Sequence, residues 1–269
     1  MNIRHLQLNT SVLNNPKAIS NYIESNNIDI ACLQEIVYPT DGQNPLINFF
    51  KKTNYHYIQG VHFYYLPKNQ TVAAAIVSRW PIIDFSTWYY NSPDFHPKNI
   101  KEEDQLYKSL IDDNYPGYPG SRGLINVIKS RCVLSATIQT PSGLLRVLTT
   151  HYTVTDLCTE STQMYDISQL IHSIVTNSHP LPTIFSADLN IRPQSYSVSL
   201  ISQVLNCHTK DLKDTLSDSH RAKQKDFPQG LAVDHVFSKN LKHVNTKCHQ
   251  IDFSEHQALI SEFDFPNEK

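Results

Sequence analysis

Apolar and polar positions alternate with period two from Ile3 to Leu8, the pattern of a half-buried strand. Asn15-Pro16 then supplies a helix N-cap followed by proline at the first helical position, with Ile19, Tyr22 and Ile23 at helical spacing. Ile28 to Gln34 (I-D-I-A-C-L-Q) reads as a second, mostly buried strand. Asn44-Pro45 repeats the helix-start signal ahead of Leu46, Phe49 and Phe50. From Tyr55 to Ile83 the pattern becomes short strands broken by turns. The run V-A-A-A-I-V-S at 72–78 is apolar enough for a central place in a sheet.

Residues 91–123 break this rhythm. They are polar, charged and rich in Pro, Asp and Lys, and carry a direct Y-P-G-Y-P-G repeat at 115–120. A long loop, with or without a short helix, is predicted, and loops of this length in compact domains are usually functional or mobile. Strands resume at Cys132–Gln139 and Leu144–Thr150, joined by the hairpin-turn signal Thr140-Pro141-Ser142-Gly143. Residues 159–177 form the clearest helix, with Met164, Ile167, Leu170, Ile171, Ile174 and Val175 in one stripe. A short strand at Thr183–Ser186, a helix at Gln194–Asn206, and closing strands at Ala232–Ser238 and Gln257–Phe263 complete the chain. Two rounds of mixed strands and helices predict an α/β (α+β) four-layered sandwich: two mixed β-sheets face to face with helices outside. No compositional shift divides residues 1–269, so one domain with a loop insertion at about 91–123 is expected.

Composition agrees with a globular chain: 40% of residues are hydrophobic and 18% charged. The net charge of −2 excludes the global basic excess of sequence-blind nucleic-acid binders and leaves a local basic patch open. Five cysteines with no C-x-x-C spacing argue against a zinc knuckle. Cys32 and Cys132 lie in apolar runs and read as small hydrophobes, and free thiols fit a reducing compartment. The N-terminus lacks the apolar h-region of a signal peptide, and no run approaches the ~18 apolar residues of a membrane span. A cytoplasmic, monomeric protein is expected.

Candidate chemistry lies at strand ends. In F-S-A-D-L-N-I-R-P (185–193), Asp188 and Asn190 sit two apart at the end of a buried strand, a spacing that turns both side chains the same way in extended chain. An Asx turn, with Asp188 capping the next helix, explains the same segment. Glu35 follows the apolar I-A-C-L-Q, where a carboxylate emerging at a sheet edge is a hard ligand suited to magnesium or manganese, or simply a solvated strand end. His151 ends the strand L-T-T-H. Asp234 lies in A-V-D-H-V-F, and His256 in D-F-S-E-H-Q-A-L-I. On neighbouring strands, Asp234 and His256 would form a carboxylate–imidazole pair that fixes the tautomer. His235 points opposite to Asp234 and is assigned to the surface. Asn9 ends the first strand. The aromatics Phe63–Tyr65 and Trp88–Tyr90 would contact bases or lipids, or pack as strand core.

Taken in order, Asn at the end of strand one, L-Q-E, T-H, D-L-N, V-D-H-V-F and S-E-H span nearly the whole chain. This resembles the endonuclease/exonuclease/phosphatase superfamily of metal-dependent phosphoesterases. The resemblance implies a divalent ion (Mg²⁺ or Mn²⁺) on Glu35, with Asn9 and Glu255 nearby. It implies that Asp188 activates the attacking water, that Asn190 and His151 contact the phosphate, and that Asp234 orients His256. Arg122 or Arg131 matches the arginine that often precedes the hairpin strands. Two positions depart from the family's pattern: Ala187 replaces a glycine, and Glu255 replaces an aspartate, moving its carboxylate by about 1–1.5 Å. The expected function is phosphodiester hydrolysis by a nuclease or DNA-end phosphodiesterase, acting on a phosphoester substrate such as nucleic acid. The alternatives are a phosphatase or sphingomyelinase-like member of the same superfamily, and a non-catalytic binding protein on the same fold.

Overall fold

The computed structural model describes residues 1–13, 15–40, 42–65, 69–90, 131–152, 167–172, 174 and 181–265. The predicted loop at 91–123, its Tyr-Pro-Gly repeat and Arg122 lie outside these residues, as do the side chains of Phe63–Tyr65.

In chain order the strands are β1 (Asn2–Asn9), β2 (Ile30–Pro39), β3 (His56–Tyr65), β4 (Gln70–Ser78), β5 (Ile82–Tyr89), β6 (Cys132–Thr140), β7 (Gly143–His151), β8 (Thr183–Asp188), β9 (Asn206–Cys207), β10 (Asp234–Lys239), β11 (Lys242–His249) and β12 (Ala258–Asp264). The helices are α1 (Pro16–Ser25), α2 (Pro45–Phe50), α3 (167–172), α4 (Tyr196–Ile201) and α5 (Arg221–Lys225). One six-stranded sheet has the order β11-β12-β1-β2-β4-β3, and the other β5-β6-β7-β8-β10-β9. Both are mixed: β1 with β2 and β7 with β8 are parallel, and the other pairs are antiparallel.

Period-two alternation builds three apolar layers from these strands. Leu6, Leu8, Ala31, Leu33 and Ala75 face outward from the first sheet and bury Ile19 and Ile23 of α1 and Leu46 and Phe50 of α2. Ile30, Ile58 and Ile76 meet Leu134, Val147, Ile184 and Val236 between the sheets. On the far side of the second sheet, Leu148, Phe185 and Phe237 pack against Ile167, Leu170, Val198 and Ile201. The predicted two-sheet sandwich with helices outside is the observed fold. No helix among the described residues is long and apolar enough to cross a membrane.

The N-cap readings hold: Asn15 and Asn44 accept backbone N–H groups of Ala18 and Leu46 at 3.0 Å each. Cys32 and Cys132 are fully buried, and Tyr89 and Tyr90 are core residues. Other expectations change. The predicted 194–206 helix is only Tyr196–Ile201, and it is capped by Ser195, not Asp188. The strand β11 was not foreseen, because its K-H-V-N-T-K-C-H run is a polar, half-exposed sheet edge.

Phe237 is fully buried and stacks on Phe185 with ring centroids 5.5 Å apart. Phe237→Ala should cost about 3–5 kcal/mol in urea unfolding. A loss below about 1 kcal/mol would mean that this layer is not the packed core described here.

Candidate active site

The inward stripes of the central strands turn polar toward one end of the sandwich. On β1 the stripe Ile3, His5, Gln7, Asn9 ends in an amide. On β8, Ile184 and Ser186 give way to Asp188. The parallel pairs put the C-terminal ends of β1, β2, β7 and β8 at one end of the sandwich. The antiparallel pairing of Asp234 with Asp188 starts β10 there too. Ligand sites of α/β sheets commonly form where strands end at their carboxyl ends.

Asp188 is 1% exposed, and its carboxylate is held from two directions. Asn9 Nδ2 donates to one oxygen at 2.9 Å, and the backbone N–H of Asn190 donates to the other at 2.9 Å. The latter bond is an Asx turn. Asn190 has φ 53°, so a left-handed turn brings it round, and extended alternation does not. The turn and the site are one feature: Asn190 Nδ2 then reaches the Tyr152 carbonyl at 2.8 Å and His151 Nε2 at 3.1 Å. His151 Nε2 lies 3.5 Å from Asp188.

His256 Nδ1 meets Asp234 Oδ2 at 2.8 Å, and its Nε2 faces Asp188 at 3.9 Å. The sequence placed this pair on neighbouring strands, and the structure corrects that. Asp234 opens β10 of one sheet, while His256 precedes β12 of the other, so the contact crosses the sandwich. Ser254 holds the histidine loop in place. Its hydroxyl donates to the Asn9 carbonyl at 2.7 Å and accepts the His256 N–H at 3.0 Å.

Glu35 does not lie past the end of its strand. β2 continues to Pro39, and its register against β4 shifts between Leu33 and Ile36. Glu35 sits in that bulge at φ 54°, a strained conformation for a non-glycine residue. Its carboxylate accepts the Val12 N–H at 3.0 Å, offered by a left-handed turn over Ser11–Leu13. Ser11 Oγ also accepts the N–H of Glu255, whose side chain is exposed at the rim.

His235 is corrected: it does point away from Asp234, but that face is covered. It is fully buried, with Nε2 2.7 Å from the Ile191 carbonyl and Nδ1 3.2 Å from Thr209.

The electrostatics follow from burial. Asp188 is raised to about 7 by burial and the nearby Asp234, against the lowering effects of His256, Asn9 and Asn190. Burial alone would lower His256, but Asp234, Asp188 and Glu35 outweigh it and raise it to about 9. His151 is held well below its ordinary value by burial, Arg131, His62 and His256, so it stays neutral. Arg131 is buried, lowered to about 10 by its burial, and lies within the fields of Glu35 and Asp188. Of the two arginines weighed from sequence, it is the one the described structure brings to the site.

The donor set fits a hard divalent cation. Glu35 and Glu255 bring carboxylates to the mouth beside the buried Asp188 and Asp234, and Arg131 and His256 leave that negative charge incompletely balanced. Asp188, Asp234 and His256 also lie within ion-holding distance of one another. Their near atoms, however, are engaged by Asn9, Asn190 and each other, with Gln7 Nε2 3.3 Å from Asp234. The Asn9 amide is engaged at both ends, by Asp188 and the Ser11 N–H. Glu35 is therefore the better anchor.

A family model described as the endonuclease/exonuclease/phosphatase family matches residues 2–256. The chain belongs to that family. Its members are typically metal-dependent phosphoester hydrolases. Among solved structures, an endonuclease/exonuclease/phosphatase from Beutenbergia cavernae has 17% identity and a TM-score of 0.71, over 98% of this chain and 72% of that one. The human Nocturnin catalytic domain with bound sulfate has 14% identity and a TM-score of 0.67, over 98% and 95%. D. rerio TDP2 complexed with a single-strand DNA product has 11% identity and a TM-score of 0.64, over 98% and 99%. At these identities the likeness is one of fold. No curated protein matches the sequence.

Sequence reading missed the supports of this candidate site. Gln7 and Gln34 exchange side-chain hydrogen bonds in the buried layer, and Gln34 donates to Thr149 at 2.9 Å. Buried polar residues on the inward stripes of β1 and β2 were the available signal. His220 escaped as well. Its ring stands edge-on to His256 at 5.5 Å, brought there by a loop with no motif.

Linkage fixes the alkaline behaviour of the metal-free protein. His256 moves from its ordinary 6.5 to about 9, so its contribution is present below pH 6.5 and lost as pH rises to 9. Asp188, raised from 3.8 to about 7, acts in the same direction at lower pH, its contribution lost as pH rises from 3.8 through 7. The urea midpoint should fall between pH 6.5 and 9, and Asp234→Asn should flatten that fall. An unchanged or rising wild-type midpoint would contradict the buried pair.

Proposed function

We propose that this chain is a divalent-metal-dependent phosphoesterase that hydrolyses a phosphodiester by in-line attack of water, a nuclease or DNA-end phosphodiesterase. The observation that carries this reading is Asp188: a buried carboxylate held by Asn9 and Asn190, facing His256 and His151, at the mouth of a sandwich of this family. The similar TDP2 structure with its single-strand DNA product and the Nocturnin structure with its sulfate support a phosphate-bearing ligand.

Asp188, oriented by its two donors, takes the proton of the attacking water. Its raised pKa suits a base working near neutrality. Asn190 Nδ2 and the neutral His151 offer N–H groups to phosphate oxygens, and the His256 imidazolium, held by Asp234, stabilises charge that builds up in the transition state. Glu35, with Glu255 beside it, would hold the magnesium or manganese ion, which neutralises phosphate charge when bound. Arg131 adds a fixed positive charge behind this group.

Asp188→Ala should lower kcat by about 10²–10⁴-fold on a susceptible phosphodiester while leaving the unfolding midpoint near that of the wild type. Wild-type-like turnover in this variant would overturn the assignment. The substrate is found with a magnesium-dependent panel of abasic-site DNA, single- and double-stranded DNA, a 5′-tyrosyl end, sphingomyelin and inositol phosphates. Activity on sphingomyelin or inositol phosphates alone would reject the nuclease reading.

Glu35→Gln should weaken saturable Mg²⁺ or Mn²⁺ binding by about 10-fold or more in calorimetry, because it removes the charged oxygen ligand. Unchanged affinity would move the ion elsewhere. Absence of any saturable site in the wild type would favour a non-catalytic scaffold.

A further inference from the structure

His62 is a buried residue that the chemistry above does not use. It lies on β3, where the register against β4 shifts between Val61 and Phe63. β2 shifts against β4 between Leu33 and Ile36, beside Glu35. The two bulges therefore flank the same part of β4, around Ala73. Bulges re-aim side chains next to active sites. His62 is fully buried, and its ring stands perpendicular to that of His151, with centroids 6.3 Å apart at 82°.

The proton positions on both rings follow from their partners. The Cys132 backbone N–H donates to His62 Nδ1 at 3.1 Å, so the proton of neutral His62 is on Nε2. That Nε2–H is buried without a partner. Asn190 Nδ2 donates to the Tyr152 carbonyl, which accepts only and so fixes the amide's orientation. The other Nδ2 hydrogen then faces His151 Nε2, which must accept, placing the His151 proton on Nδ1. His151 Nδ1 is also buried without a partner. Two neighbouring rings thus each carry an unmatched buried N–H. Leaving such a group unmatched is costly, so a partner for either is favoured.

Asn190 and His151 satisfy each other, so neither is free to donate to a phosphate oxygen. Moving the His151 proton from Nδ1 to Nε2 frees both donors toward the phosphate and turns Nδ1 into an acceptor. One ordered water or a small ring rotation then joins it to His62 Nε2–H. No proton is gained or lost overall.

We propose that His62 is a positioning residue that selects the Nε2–H tautomer of His151 when phosphate binds. The proposal rests on the phosphoesterase reading only for the identity of the anion. A neutral partner keeps His151 a neutral donor, where a carboxylate would make it an imidazolium.

The test uses the full chain with magnesium and ¹⁵N-resolved imidazole NMR, with His151 and His62 assigned from His151→Gln and His62→Gln spectra. On adding inorganic phosphate, wild-type His151 should pass from the Nδ1–H to the Nε2–H tautomer. In His62→Leu it should stay Nδ1–H. Turnover of a susceptible phosphodiester should fall about 10–100-fold in kcat with little change in KM. His62→Gln, which keeps a donor, should restore most of both. A wild-type His151 that does not change tautomer on saturation overturns the proposal without any variant. So does a folded His62→Leu protein with the wild-type tautomer shift. A wild type that shows the tautomer change but hydrolyses no phosphoester would sink the phosphoesterase reading and leave this one standing.

Discussion

A carboxylate and an imidazole buried between two β-sheets need each other. Asp234 is 1% exposed and His256 6%, and their 2.8 Å contact is the polar link that lets both remain inside. Removing either partner would leave the other as an uncompensated polar or charged group in a low-dielectric layer, which costs far more than a surface pair ever returns. The contact also joins the two sheets. It fixes where the loop before β12 must lie against the start of β10, and so where His256 faces Asp188.

The rest of the site is arranged around that crossing. Gln7 places its amide between Asp234 and Gln34, and Gln34 reaches across to Thr149, so the same buried layer runs from β10 through β1 and β2 to β7. Ser254 and Ser11 tie the His256 loop to the end of β1. The layer is almost fully hydrogen-bonded, as a dry polar network must be. Two of the buried nitrogens without a hydrogen-bond partner, on His62 and His151, belong to neighbouring rings at the polar end of the sandwich.

Backbone strain collects at the same end. Glu35, Asn190 and the turn over Ser11–Leu13 all adopt left-handed backbone conformations at non-glycine residues. Each turns a functional group toward the mouth: the Glu35 carboxylate, the Asn190 amide and the Val12 N–H. Strain of this kind persists only where surrounding packing over-determines it. Here the packing comes from strands whose apolar stripes lock them in register. Glu255, where the resemblance led to the expectation of an aspartate, stands exposed at the rim.

The sequence by itself determined the two-sheet architecture and the helix starts at Asn15 and Asn44, and it singled out most of the polar residues that the structure gathers at the candidate site. These rest on local signals: period-two and helical apolar spacing, side-chain capping, and short motifs at strand ends. It also pointed to the right face for His235 but misjudged what covers it, because alternation gives direction and not depth. Glu35 looked like a strand end because a bulge leaves no mark in composition. Asp188 and Asn190 matched both a turn and a candidate site, and the structure shows that the turn itself brings Asn190 to His151 beside Asp188. Only the tertiary structure decided that Asp234 and His256 meet across sheets, that Arg131 lies in the site's field, and that His62 stands beside His151. Those are contacts between segments distant in sequence, set by sheet order and register, which no local pattern encodes.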